Sequence, residues 1–356
     1  MSTTRKRSIS DDMIRVIMII MVIMIHTDDK PWADIPVLSA LVTTLIFSCN
    51  SLFFQLSGKY SLRHTFNERK DYLTYYKKRL IDIVFPYVCT SMILSFWNMQ
   101  VTPDPEINAS SPLMYYLKFA FKELFSANNS IHLWFMFLLM GFILSAPFLS
   151  KMLHAMSRSE MNILFALGIL WNVVRVFLFM DFYKPYAYAG WMLTGWILHF
   201  CMGYYIANVV DDNNRSRYLC AGLAGLIINI LGMTFIPHRF FEPTDQAPTF
   251  ILFCGGLYIA LSYIIRIKKE TAEKVILFLA AHTFTVYMIH FNIAHYVTPL
   301  IVHIPSVTGQ YFLSVIVTYL ISLVIAVILD SIYSLCKKGL YAVSERIIPS
   351  DAHTQA

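Results

Sequence analysis

The sequence predicts an all-α polytopic membrane protein with about ten transmembrane helices and both termini cytoplasmic. Three observations lead there. Hydrophobic residues make up 57% of the 356, and only 14% are charged, against about 25% in a soluble domain. Apolar runs long enough to cross a ~30 Å hydrocarbon layer recur ten times along the chain. The segments between them alternate between rich and poor in Lys and Arg. The mean hydropathy of +0.57 agrees.

The runs fall near residues 11–27, 37–58, 83–100, 131–150, 162–180, 188–209, 217–236, 249–267, 275–297 and 310–336. The first, MIRVIMIIMVIMIH, carries Arg15 near its start and His26 at its end. Eleven residues at 100° each make three turns plus about 20°, so the two share one helix face, roughly 16 Å apart along the axis. The basic N-terminus has no small-residue cleavage site and reads as retained. Between the second and third runs lies an inner loop, Lys59 to Arg79, the most basic stretch of the chain. It suits either anionic lipid headgroups or a polyanionic substrate. Between the third and fourth, Pro112–Ser126 places Leu113, Leu117, Ala120, Phe121 and Leu124 three and four residues apart. That spacing predicts an amphipathic helix on the outer surface.

Alternate segments hold 21 basic residues against five: Lys30, Lys118, Lys122, Lys184 and Arg239. Arg15 and Arg175 lie within the runs. This asymmetry puts the richer side, and both termini, in the cytoplasm. The net charge of +6 follows from topology and does not signal nucleic acid. One membrane domain, 11–336, stands between cytoplasmic tails 1–10 and 337–356. The six cysteines are scattered singly with no CxxC, which argues against a disulfide framework and against a metal site.

With orientation fixed, depth follows from position in each run. His26, His132 with Trp134, Arg175 and His290 come from four runs and converge on the outer half. Arg15 and Arg79 sit at the cytoplasmic edge. Ionisable groups inside a membrane are costly and mark function; each one singly also has a structural reading, as a hydrogen-bonded helix end or a snorkelling arginine.

Several motifs stand in order. Asp12-x-x-Arg15 is followed by ten residues and His26; SLFFQLSGKYSL covers 51–62 and YKKRLIDIVFPY 76–87. HLWFMFLLMGFILSAP covers 132–147, FCMGYYI 200–206 and TFTVYMIH 283–290. In these the chain resembles the membrane acyltransferases of family 3, which include bacterial O-acetyl- and O-succinyltransferases of surface polysaccharides. One departure is that Arg79 is followed by Asp82, where the family often has a second arginine; Lys77 or Lys78 stands in that neighbourhood.

The resemblance implies transfer of an acyl group, acetyl or succinyl, from cytoplasmic acyl-CoA to a hydroxyl of an extracytoplasmic or lipid-linked saccharide. The implied partners are acyl-CoA, the saccharide and the bilayer, with no nucleic acid and no bound cofactor; a homo-oligomer is left open. The site implied has His26 and Arg15 as its catalytic residues and Asp12, Arg79, His132, Trp134, Arg175 and His290 binding substrate. The chemistry suits these residues independently. A sugar hydroxyl needs a general base, and histidine's reference pKa is nearest the working pH. Asp29, one turn on, would orient the ring. Guanidinium groups grip phosphates through paired hydrogen bonds, and Asp12 would hold Arg15 at i−3. An acyl-histidine intermediate is a second route. The competing class is a saccharide exporter, which buried His and Arg also suit. Against it stand the absence of two related halves and of a mid-membrane carboxylate relay. Asp330 is the one clear deep carboxylate, with Lys337 and Lys338 within two turns. A membrane sensor, a third class, would not need the Arg15/His26 register.

Overall fold

The computed structural model describes residues 8–126, 130–176, 195–236, 241 and 247–347, and among them every regular element is a helix. In order they are α1 (Ile9–His26), α2 (Pro36–Ser61), α3 (Arg69–Arg79), α4 (Phe85–Val101), α5 (Pro112–Ser126), α6 (Trp134–Ala155) and α7 (Arg158–Val174). There follow α8 (Trp196–Val209), α9 (Arg215–Phe235), α10 (Pro248–Ile264), α11 (Glu270–Asn292), the short α12 (Thr298–Ile301) and α13 (Val307–Ile347). A helix stands at each of the ten apolar runs. Among the described residues six helical stretches are long and apolar enough to cross a membrane: Pro36–Ser61, Arg69–Val101, Ile131–Ala155, Arg215–Phe235, Glu270–Ile301 and Val307–Arg346. The far end of run 162–180, the start of run 188–209, Lys184, Arg239 and the chain ends lie outside the described residues.

The stretch 59–79 is not the loop its charges suggest. Lys59 still belongs to α2, and α3 begins at Arg69. The Glu68 side chain caps the backbone of Asp71 while Asp71 returns the contact to the backbone of Glu68. This reciprocal cap satisfies donors that would otherwise fray the first turn. A π-helical turn, Leu80–Val84, joins α3 to α4. Its cause is Pro86, which has no N–H to offer the Asp82 carbonyl four residues back. Lys337 Nζ donates to that carbonyl at 3.3 Å instead. A second π turn, Ile293–Val297, precedes Pro299 in the same way. Asp330 is consequently not the partner of Lys337. It accepts from His282 Nδ1 at 2.6 Å and Thr285 Oγ1 at 2.5 Å, tying α13 to α11.

End-to-end contacts fix the helix directions. The start of α1 meets the end of α2 (Asp11–Lys59, 2.7 Å). The end of α1 meets the start of α13, where Tyr311 Oη donates to the Met24 carbonyl at 2.8 Å. The start of α7 meets the end of α8 (Arg158–Asp211, 3.0 Å), and Lys77 of α3 meets Glu345 near the end of α13 (2.8 Å). The first of these contacts sets α1 antiparallel to α2, and the third sets α7 antiparallel to α8. Between α2 and α8 the approach is backbone to backbone: a Cβ on Gly58 would lie 1.6 Å from the Phe200 carbonyl oxygen, and one on Gly203 1.7 Å from that of Gln55. Only glycine fits there.

Helix α5 has the bounds its spacing predicts, but its faces divide differently. Leu113, Leu117, Phe121 and Phe125 form an exposed apolar row, whereas Phe119, Ala120 and Glu123 turn inward. Tyr116 Oη donates to the Met92 carbonyl of α4 at 3.0 Å, holding the two helices together.

Candidate active site

Three histidines from three segments meet at one end of the bundle. His26 is the last residue of α1, His132 lies in the 3₁₀ turn Ile131–Leu133 that opens α6, and His290 is near the end of α11. Ring centroids are 5.3 Å apart for His26–His290, 5.0 Å for His132–His290 and 6.2 Å for His26–His132. A cavity of about 420 Å³ opens against them, walled by His26, His132, Asn50, Trp134, Trp196 and Tyr287 with apolar side chains between. The two tryptophan rings lie 5.2 Å apart.

Each histidine has its own support. Thr27 ends α1 in an extended conformation, its hydroxyl donating to the Ile23 carbonyl at 2.9 Å, so His26 caps the helix facing the cavity. The turn carrying His132 is pinned by Tyr287, whose hydroxyl donates to the His132 carbonyl. Asn292 Nδ2 donates to Asn98 Oδ1 (2.6 Å) and Asn98 Nδ2 to Ser130 Oγ (3.1 Å), fixing the turn from behind. His132 Nε2 faces the Met288 carbonyl at 3.0 Å, and His290 Nδ1 faces the Tyr287 carbonyl at 2.6 Å. A carbonyl only accepts, so both ring nitrogens carry the proton. Asp29, expected to orient His26, does not: it is exposed at φ 54 and makes no hydrogen bond to the ring.

The opposite end of α1 is a charged lattice. Asp11 and Asp12 are both buried. Asp11 accepts from Lys59 at 2.7 Å, Tyr60 at 2.6 Å and Tyr258 at 3.4 Å. Asp12 holds Arg15 at 2.5 Å, as its i−3 spacing predicts. The Tyr60 ring collects cations, with Arg15 Cζ at 5.3 Å and Arg63 Cζ at 5.1 Å from its centroid. Arg79 Cζ stands 5.0 Å from the Tyr75 ring, and its Nη2 donates to Ser61 Oγ at 3.4 Å. The two aspartates balance Arg15 and Lys59, and no ion pair is drawn to Arg63 or Arg79 among the described residues. The edge is therefore net positive.

The acyltransferase 3 family model, described as an acyltransferase domain, matches residues 10–329. The chain belongs to this family. It is an acyltransferase, and its apolar helices make it a multi-pass membrane protein. Comparisons with curated proteins and with solved structures give no match.

In this acyltransferase His26, His132, His290 and Trp134 come together, with His290 fully buried behind the cavity wall. Arg15, Asp12 and Arg79 gather at the other end. Arg175 is not brought to the cavity wall; at the end of α7 its Nε donates to Asn172 Oδ1 at 3.3 Å. Lys77 pairs with Glu345 and, with Arg79, lines an apolar groove of about 580 Å³ against α6 and α13. Residues not singled out from sequence are Asn50, Trp196 and Tyr287 at the cavity, and Asp11 and Tyr60 at the basic edge; Lys59 and Arg63 belong to the basic stretch 59–79 that the sequence offers to lipid headgroups or a polyanionic substrate. Asn50 had a signal, being one of two amides, with Gln55, in an apolar run.

Proposed function

We propose that this acyltransferase moves an acetyl- or succinyl-sized acyl group from cytoplasmic acyl-CoA to a saccharide hydroxyl presented at the opposite face of a bacterial cytoplasmic membrane. The reading takes all ten runs as spans, with both termini and the tails 1–10 and 337–356 in the cytoplasm. One observation carries it: a net-positive edge and a three-histidine cavity occupy the two ends of one helix, α1. Arg15 and His26 stand roughly 16 Å apart along it. A donor whose charged end is held at the edge must reach through the helix bundle for its thioester to meet His26.

His26, as the neutral imidazole, takes the proton of the sugar hydroxyl as its oxygen attacks the thioester carbonyl. The tetrahedral oxyanion collapses, the carbon–sulfur bond breaks, and the CoA thiolate recovers the proton from His26. An oxyanion needs donors already aimed at it. His132 and His290 have spent their ring N–H groups on backbone carbonyls. Asn50 lines the cavity, with its Oδ1 accepting from the Cys49 thiol at 3.8 Å, and its amide N–H is the donor assigned here to that task. Arg15, Arg63 and Arg79 grip the phosphates.

Mass spectrometry of envelope glycans tests the reading. A deletion strain should lack an acyl group that wild-type protein restores and His26→Ala protein does not, with the glycan in its normal location. A glycan that is mislocated, with its acylation intact, would favour export and overturn the reading.

A further inference from the structure

The wall of the histidine cavity bears on how a saccharide lies in it; the argument rests on the acyl-transfer reading above. Two tryptophans from different helices, Trp134 opening α6 and Trp196 opening α8, both wall the cavity. Tryptophans near a membrane surface ordinarily sit at the headgroup level as anchors; these two meet each other over a cavity instead. Their ring centroids are 5.2 Å apart and their planes meet at 44°. That is contact distance for two aromatic rings. Nothing slips between them, and they make one bent aromatic surface. Trp196 is backed by Phe54, 5.4 Å away, and by His199, 5.8 Å away. The chain enters Trp196 through Gly195, whose φ of 61 favours glycine and whose N–H donates to Asn172 Oδ1 at 3.5 Å. A Cβ on Gly195 would meet nothing within 4 Å, so the direction of the backbone, not space, asks for glycine there.

The polar groups on the same wall are already committed. Tyr287 gives its hydroxyl to the His132 carbonyl, His132 gives Nε2 to the Met288 carbonyl, and His132 Nδ1 is closed over. His26 takes the proton of the attacked hydroxyl, and Asn50 faces the oxyanion. Among the described residues of the wall, what remains for the rest of a sugar is apolar and aromatic. The cavity, at about 420 Å³, lies in the range that encloses a whole small ligand and so has room for more than the acyl group. A pyranose ring suits such a surface. Its hydroxyls stand at the rim, while its C–H groups gather on the two faces and point their positive hydrogens at the negative face of an aromatic ring. We propose that Trp134 and Trp196 form the acceptor platform: one pyranose unit of the saccharide lies with a C–H face on this wall and turns one hydroxyl at its rim to His26. Selection then falls on the shape of that face. Hydroxyls further round the rim are read weakly, because strong discrimination needs hydrogen-bonding partners built into the site.

The test uses the full-length protein in nanodiscs, radiolabelled acetyl-CoA and succinyl-CoA, and de-esterified envelope glycan from a deletion strain. Trp196→Phe keeps an aromatic ring, Trp196→Leu keeps only apolar bulk, and Trp196→Ala keeps neither. The KM for glycan should rise about 10-fold or more in the Leu and Ala proteins and less than about threefold in the Phe protein. The KM for acyl-CoA should stay within about twofold of wild type in all three. A rise in the acyl-CoA KM instead would give the wall to the pantetheine arm of the donor. A Trp196→Leu protein that matches Trp196→Phe would reduce the wall to apolar bulk. Either result overturns the platform and leaves acyl transfer standing. Tryptophan emission reads binding without chemistry: glycan added alone should shift the wild-type emission to the blue, and Trp196→Phe should lose most of that shift. An unshifted wild-type spectrum overturns the platform, and it decides the matter should a variant fail to insert. A shift with no transfer from either donor keeps the platform and overturns the function assigned to it.

Discussion

His26 is the residue on which the chemistry turns, and its surroundings separate a base from a helix cap. It hydrogen-bonds to no protein side chain or backbone group among the described residues, so a hydrogen-bonded structural role has nothing to preserve; its contacts are ring packing against His132, His290 and Phe291. His26→Gln should lose transfer as fully as His26→Ala, by about 10²- to 10⁴-fold, while both still bind acyl-CoA at the far end of α1. A glutamine variant with a large fraction of wild-type turnover would remove His26 from the chemistry. The wild-type rate should also rise with pH through its titration, since only neutral imidazole accepts a proton. At the other end, Arg63→Ala and Arg79→Ala should each raise the KM for acyl-CoA about 10-fold or more, leaving the acceptor KM unchanged. Unchanged acyl-CoA kinetics in both would assign these arginines to lipid contact. Depth made His26, His132 and His290 legible in the sequence, because loop charges fix which way each helix runs. Depth says nothing of rotation about the helix axis, and that is why Arg175, at the right depth, stays off the cavity wall. For the same reason Trp196 and Asn50 needed the packed helices to be found.

At the scale of elements, the apolar runs were legible because a bilayer leaves the backbone no hydrogen-bonding partner but itself, so continuous apolar helices are forced. Helix α3 was not, since YKKR and its neighbours carry no apolar period; the Glu68–Asp71 cap makes it a helix. The π turns are explained by their prolines only once the freed carbonyls are seen. The α2–α8 crossing makes a sharp prediction. Gly58→Ala should lower the thermal midpoint, because its Cβ would meet backbone rather than a movable side chain. Overpacking of this kind costs typically about 1–3 kcal/mol. Gly141→Ala in α6 is the control: nothing lies within 4 Å of its Cβ, and removing a mid-helix glycine should leave the midpoint level or raise it. Equal losses at both sites would mean that the α2–α8 approach is looser than drawn. The crossing matters to function, since α2 carries Asn50 at the cavity and Lys59 and Tyr60 at the basic edge.

At the scale of the whole molecule, the 21-to-five division of basic residues and the contacts between helix ends are independent observations that agree. Charge assigns Lys59, Arg63, Lys77, Arg158, Arg215 and Lys337 to one face. The packing brings Lys59 to the start of α1, Lys77 to the end of α13 and Arg158 to the end of α8, always basic end to basic end. The histidine ends of α1, α6 and α11 gather at the other pole. Helix α3 with its π turn and α4 forms one stretch of 33 residues, about 50 Å long at 1.5 Å per residue, more than the ~30 Å hydrocarbon layer. Thr65, before it, and Ser110, after it, are both exposed, so they should lie on opposite faces of the membrane. Single cysteines introduced at these positions, in a background with the six native cysteines replaced, should divide cleanly under a membrane-impermeant thiol reagent. Ser110→Cys should label in intact cells, and Thr65→Cys only after permeabilisation. Labelling of both from outside would break the ten-span reading at its third span. The reverse pattern would invert the molecule, placing the basic edge outside, away from cytoplasmic acyl-CoA. The direction of transfer proposed here would then be untenable even with every histidine in place.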